Sequence, residues 1–232
     1  AFRPWCYGLE NLFALFNVLL TKRKMKSKGI KNLLIDLGGV LINLDRQRCI
    51  DNFKKLGCEH VEDLLNFYHQ QGIFMQQEKG MITSAEFRNG VREMMGKTLS
   101  DQQIDTAWNS FLVDIPTYKL ELLLKLREKY VVYLLSNTNA IHWEWVCENA
   151  FPYRTFKVED YFEKTYLSFE MKMIKPEMEI FKAVIKDADI DPKETFFIDD
   201  SDINCKMAQE LGISTYTPKA GEDWSHLFNK KR

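Results

Sequence analysis

The 232-residue chain is 45% hydrophobic and 28% charged, with 32 Lys+Arg against 33 Asp+Glu and a formal net charge of −1. That balance suits one large domain, or one domain carrying a sizeable insertion, and supplies no basic field for holding nucleic acid. Five scattered cysteines (Cys6, Cys49, Cys58, Cys147, Cys205), odd in number and without CxxC or Cys/His spacing, support neither a disulfide framework nor a zinc site and point to a reducing, cytoplasmic setting.

At the N-terminus the apolar run Leu12 to Leu20 is far shorter than the ~20 residues a membrane span needs. The basic cluster Lys22-Arg23-Lys24, Lys26, Lys28 and Lys31 follows it rather than leading it, so it does not read as a secretory signal either. Residues 1–28 are therefore expected to be an appendage, with Met25 a candidate start of the folded domain; a surface-seeking amphipathic helix is the alternative.

Leu33 to Ile35 read as a strand buried on both faces, ending in Asp36 and followed by Gly38-Gly39. Amphipathic helices follow for about seventy residues, judged by helical period and breakers. Asp45 to Leu56 carries Ile50, Phe53 and Leu56 and ends at Gly57, and Val61 to Gln71 carries Val61, Leu64, Leu65 and Tyr68 until Gly72 stops it. Thr83-Ser84-Ala85-Glu86 has the form of a capping box ahead of the apolar stripe Phe87, Val91, Met94 and Met95. Ser100 opens a helix through Ile104, Ala107, Trp108 and Phe111. These stripes are expected to form a small helical bundle rather than a cofactor box.

Beyond Pro116, a helix over Leu120–Lys129 precedes a second buried strand, Tyr130 to Leu135, ending in Ser136-Asn137. A helix over Ile141–Ala150, a short strand over Thr165–Ser168, Lys175-Pro176, a helix over Glu177–Asp187, a strand over Thr195–Ile198 ending in Asp199-Asp200, a helix over Ile203–Leu211 and a last strand, Ile213 to Tyr216, complete the pattern. The alternation predicts an α/β fold, a doubly wound parallel Rossmann-like sheet with an inserted helical cap. The expected division is a core of 29–45 and 114–232 around a cap of 46–113.

Asp36, Ser136, Lys175 and Asp199-Asp200 all fall at or near predicted strand ends, where an open α/β sheet binds its ligands. A carboxylate nucleophile, a hydroxyl and an ammonium for phosphoryl oxygens, and further carboxylates for Mg²⁺ are what phosphoryl transfer through an aspartyl-phosphate requires. The motifs Asp36-Leu37-Gly38-Gly39-Val40, Leu134-Leu135-Ser136-Asn137, Lys175-Pro176 and Phe197-Ile198-Asp199-Asp200, with Asn204 after them, stand in the order found in haloacid dehalogenase superfamily hydrolases. The chain resembles that superfamily over roughly Lys31 to Pro218, and within it the sugar-phosphatase branch that includes alpha-glucose-1-phosphate phosphatase. More loosely, it is similar to the phosphatase domain of soluble epoxide hydrolase.

The resemblance implies a Mg²⁺-dependent phosphomonoester hydrolase acting on a sugar phosphate or similar small phosphorylated metabolite. In that reading Asp36 is nucleophile and metal ligand, and the Gly38 carbonyl and Asp200 are further ligands. Ser136 with the Asn137 amide, and Lys175, hold the phosphoryl group, while Asp199 and Asn204 orient the metal shell. One position departs from the usual pattern: Gly38 stands where phosphatases of the superfamily carry a second Asp as general acid, a feature the sugar-phosphatase branch shares. The proton must then come from elsewhere, or the leaving group must need little help. Glu78 and His142 are candidates, although each reads first as an ordinary helix-end or surface residue.

Other readings compete. A 2-haloacid dehalogenase would also lack the second Asp, but the metal-ready pair Asp199-Asp200 counts against it. A receiver domain uses similar residues in the reverse order. A weakly active phosphate-binding protein would be told apart by absent turnover across a panel of phosphate esters.

Overall fold

A computed structural model describes residues 29–63, 65, 71–219 and 221–228. The appendage expected over 1–28 lies outside them, as does most of the expected Val61–Gln71 helix, of which one 3₁₀ turn, Val61–Asp63, is described. Among the described residues no helix is long and apolar enough to cross a membrane.

Five parallel strands form one sheet: β1 (Asn32–Ile35), β2 (Val131–Ser136), β3 (Lys164–Leu167), β4 (Thr195–Ile198) and β5 (Ser214–Tyr216), in the order β3-β2-β1-β4-β5. Strand β1 is central, and the chain winds outward from it first through β2 and β3 and then through β4 and β5. Its crevice is thus the switch point at which open sheets of this class bind ligands. Alternate residues face opposite layers. Leu33, Ile35, Val132, Leu134, Phe196 and Ile198 belong to one buried cluster, and Leu34, Tyr133, Leu135 and Phe197 to the other. Both faces are covered, which is why these strands are apolar throughout rather than alternating.

Between β1 and β2 come α1 (Arg46–Leu56), α2 (Gly72–Glu78), α3 (Ser84–Met95), α4 (Asp101–Asn109) and α5 (Thr117–Arg127). The rest are α6 (Ala140–Asn149), α7 (Val158–Tyr161), α8 (Ser168–Met171), α9 (Met178–Asp187) and α10 (Asp202–Glu210). Helices α9 and α10 cover the second face through Ile180, Phe181, Val184, Cys205 and Ala208. The expected capping box of Thr83 with Glu86 opens α3, and Ser100, expected to open a helix, opens α4 through a further box with Gln103. The two chain crossings that lead into and out of α1–α4 are paired with each other. Asn43 donates to Asp114 twice, from its backbone amide to the carbonyl and from its side-chain nitrogen to Oδ1, the Asp45 amide donates to the Phe111 carbonyl (2.8 Å), and Leu44 bridges Leu112.

Three local expectations are corrected. Gly72, expected as a helix stop, is the first residue of α2, and the helix it opens buries Phe74 and Gln77. Met94 is 43% exposed, outside the stripe of Phe87 and Val91. Tyr130 precedes β2, and Ser136 belongs to it. The cysteines described (Cys49, Cys58, Cys147 and Cys205) are free.

Candidate active site

The cleft opens at the carboxyl ends of β1, β2 and β4, as the sequence pattern predicts. It encloses about 80 Å³ and is lined from the sheet by Asp36, Gly38, Ser136, Asn137, Lys175, Asp200 and Asn204, and from the inserted helices by Glu78, Trp108 and Phe111. Every residue expected to act is therefore at the cleft except Asp199, which lies fully buried just beneath and braces Lys175.

Asp36 follows β1 directly, its amide donating to the Ile198 carbonyl at 2.9 Å in continuation of the β1–β4 ladder. The turn after it is fixed from beneath: the Val40 carbonyl accepts from buried Lys119 (2.6 Å) and from the Trp224 indole (3.1 Å). Neither residue carried a sequence signal, because each reads as ordinary helix or tail composition. Gly39 sits at φ +68, and a Cβ there would stand 2.1 Å from Asp200 Oδ2. Only glycine lets the two strand ends approach this closely.

Lys175 is the electrostatic centre. Its Nζ donates to Asp36 Oδ1 (2.7 Å), Asp199 Oδ2 (2.7 Å) and the Leu135 carbonyl (3.0 Å), and the side chain is 1% exposed. Burial opposes its charge, but Asp199 and Asp36 outweigh that and hold its pKa above the usual lysine value. Asn137 positions the backbone beneath it: the amide oxygen accepts from the Lys175 N–H (2.8 Å), and the amide nitrogen donates to the Lys175 carbonyl (2.9 Å). The Asn137 side chain is thus committed, so only its backbone N–H is free to meet a phosphoryl oxygen. The Lys175-Pro176 peptide is cis. Ser136 Oγ is only loosely engaged, 3.4 Å from the Asn137 carbonyl.

Asp36, Asp199 and Asp200 offer oxygens within 4.8 Å of one another. Both Asp199 oxygens are spoken for: Oδ1 by the Ser201 amide (2.8 Å) and Asn204 Nδ2 (3.0 Å), and Oδ2 by Lys175 and the same Asn204 nitrogen (3.1 Å). Asp36 Oδ2, Asp200 and the Gly38 carbonyl are left over, since the turn's hydrogen bonds go to the Leu37 and Ile42 carbonyls. Three carboxylates face one ammonium. Burial, countered by Lys175 and reinforced by Asp199 and Asp200, pushes Asp36 up to about 8; burial, with Asp199, pushes Asp200 up to about 6. An all-oxygen donor set short of positive charge fits Mg²⁺. Asn204 Oδ1, buried without a partner beside it, suits an acceptor for metal-bound water.

Glu78 and His142 prove to differ. His142 is 6% exposed, contrary to a surface reading; its Nε2 lies 3.1 Å from the Trp108 carbonyl and its ring 4.1 Å from the Trp108 ring. Burial pushes it down to about 4, so the ring is neutral. Glu78 ends α2 and lines the cleft, and burial, partly offset by Lys175, pushes it up to about 7.

Comparison with known proteins shows which family shares this sequence and fold. A profile of haloacid dehalogenase-like hydrolases matches residues 30–212. The D-ribitol-5-phosphate phosphatase of Bacteroides thetaiotaomicron is 39% identical over 195 residues, covering 84% of this chain and 95% of that protein. A HAD family enzyme of the same organism, solved as an aspartate-to-alanine variant with magnesium and inorganic phosphate, is 81% identical with a TM-score of 0.86 over 87% of this chain and 100% of the other. A predicted HAD-like hydrolase of Porphyromonas gingivalis is 35% identical, with a TM-score of 0.81 over 88% of this chain and 100% of the other. With the profile spanning β1 to β4 and the inserted helices, and these relatives matched along nearly their whole lengths, the chain belongs to the haloacid dehalogenase-like hydrolases.

Proposed function

We propose that this protein is a Mg²⁺-dependent phosphomonoesterase that acts through an aspartyl-phosphate on Asp36, with a phosphorylated polyol or sugar as its substrate. The observation that carries the reading is the charge arrangement at the strand ends. Lys175 holds one Asp36 oxygen at 2.7 Å and leaves the other free beside Asp200. The 39% identical relative is named for hydrolysing ribitol 5-phosphate, and the 81% identical one was crystallised with magnesium and phosphate. In that variant the twelfth residue, an aspartate, is replaced by alanine; counted from Met25, Asp36 is the twelfth residue here.

In this reading Asp36, Asp200 and the Gly38 carbonyl hold Mg²⁺, with Asp199 and Asn204 orienting them. The bound cation lets clustered carboxylates stay ionised beside a phosphate dianion and offsets charge on the phosphoryl oxygens. Lys175 aligns Asp36 so that its free oxygen attacks phosphorus as the ester P–O bond breaks. Ser136 Oγ and the Asn137 N–H hold the equatorial oxygens, and the Lys175 ammonium, bonded to Asp36, offsets their charge. Water then cleaves the acyl phosphate and releases inorganic phosphate. Residues 46–113 serve as the cap over a core of 29–45 and 114–232, with 1–28 an appendage; the pairing of 43–45 with 111–114 supports that division. Free thiols fit a cytoplasmic enzyme.

The test is phosphate release from ribitol 5-phosphate, sugar phosphates and nucleotides with Mg²⁺. Turnover of the polyol and sugar esters that stops in excess chelator and returns with Mg²⁺ is expected. Turnover indifferent to chelator, or of a 2-haloacid in place of an ester, would overturn the reading.

A further inference from the structure

We propose that Glu78, delivered to the cleft by the inserted helices, is the proton donor to the leaving alkoxide, replacing the carboxylate that Gly38 lacks; this rests on the phosphatase reading above. A phosphorylated polyol or sugar carries its phosphate on an alcohol, and an alkoxide leaves poorly without a proton. A donor is therefore required, and the cleft limits the choice. Its titratable lining residues are Asp36, Asp200, Lys175, His142 and Glu78.

The first two are claimed by nucleophile and metal. Lys175 spends its three protons on Asp36, Asp199 and the Leu135 carbonyl. His142 is wedged between Trp108 and Phe111 with Nε2 against the Trp108 carbonyl, so its ring proton is committed there. Glu78 remains. Its carboxylate makes no hydrogen bond among the described residues, although it lies close enough to Lys175 to feel that charge. It ends α2, and burial, partly offset by Lys175, pushes its carboxyl up to about 7.

The segment carrying it is docked on the core at three consecutive residues. The Glu78 carbonyl accepts from buried Ser168 Oγ (2.6 Å), which itself accepts from the Thr138 amide (2.9 Å) in the loop after β2. Lys79 pairs with Glu177 at 2.5 Å, two residues from Lys175. Gly80, at φ +66, lies so close that a Cβ would stand 2.0 Å from the Phe169 carbonyl. The end of helix α2 is thus held in register with the loop after β2 and with the segment that follows Lys175, which fixes where its last side chain enters the cleft.

The step balances. Asp36 forms a bond to phosphorus, the P–O bond to the alcohol breaks, and the Glu78 proton goes to the departing oxygen. The resulting carboxylate takes a proton from the water that attacks the phospho-aspartate, releasing phosphate and restoring the Glu78 acid and the Asp36 carboxylate.

The experiment compares kcat/KM of E78Q and the unaltered protein on an alkyl ester, ribitol 5-phosphate, and on 4-nitrophenyl phosphate, whose phenolate needs no proton. The expected loss is about 10²-fold or more on the alkyl ester and no more than about 3-fold on the aryl ester, as for a general acid. Equal losses on both, or a loss confined to KM, would overturn the assignment. Should E78Q not fold, E78A decides: formate is expected to restore alkyl-ester turnover, and indifference to formate overturns the role. No turnover of either ester by the unaltered protein would overturn the phosphatase reading and this assignment with it.

Discussion

On the sheet side of the cleft Lys175 is bonded to Asp36, Asp199 and the Leu135 carbonyl, whereas the inserted-helix side rests on ring contacts and on one uncommitted carboxylate. Phe74 meets Trp108 at 5.0 Å and Phe87 at 5.2 Å, and Trp108 reaches across to His142. The sheet side is fixed by directional bonds between charges in a low-dielectric setting, where each group specifies the position of the next. The helix side is fixed by nondirectional packing and touches the core through a few named contacts. This difference teaches where each kind of residue belongs: groups locked to one another by hydrogen bonds sit at the strand ends, and the one carboxylate left uncommitted comes from the inserted helices.

Four substitutions sharpen the contrast, in falling order of effect. Asp36→Asn is expected to lower kcat/KM by ~10³ or more on alkyl and aryl esters alike, because a nucleophile is needed whatever the leaving group. Substantial residual phosphate release would mean that water attacks directly. Lys175→Met should lower unfolding stability by about 3–5 kcal/mol in chelator, since it leaves two buried carboxylates unpaired. A urea midpoint close to that of the natural protein would show that the pair relaxes more readily than its hydrogen bonds suggest.

On the helix side the expected effects are smaller. His142, held near 4 in the folded protein against 6.5 for the free side chain, gains its proton in the unfolded chain first as pH falls. Its contribution is complete above about pH 6.5, is lost between there and about pH 4, and changes no further below, for a total of about 3 kcal/mol. Replacing it with Phe should flatten that part of a stability profile followed by thermal melts; an unchanged slope would assign the loss to other groups. Ser168→Ala, which releases α2 from the loop after β2, should cost about 1 kcal/mol. Turnover of an aryl ester should stay within a few-fold, and a large fall there would show that the two sides are coupled more tightly than their contacts imply.

The elements legible in the sequence were those whose signal is local. Strand β4 spans Thr195–Ile198 as expected, the box at Thr83 forms and Ser100 opens its helix, because a cap and its third residue are set by a single turn of chain. Gly72 misled because glycine marks a left-handed backbone position, here φ +57, without telling whether a helix ends or begins there. The short helices α7 and α8 gave no periodic signal, being only one turn each.

By itself the sequence determined the parallel sheet and the strand-end set of Asp36, Ser136, Lys175, Asp199 and Asp200, because buried strands and the polar residues that end them are written in consecutive positions. Only the tertiary structure decided how that set divides its labour. Lys175 meets Asp36 across 139 residues of chain, Asn137 spends its side chain on the Lys175 backbone, and both Asp199 oxygens are engaged by Lys175, Ser201 and Asn204. It alone brought Lys119 and Trp224 under the turn at Val40 and distinguished a locked His142 from an open Glu78. Each of these outcomes depends on which hydrogen-bonding partners remain free after folding, and that is a property of contacts between distant segments.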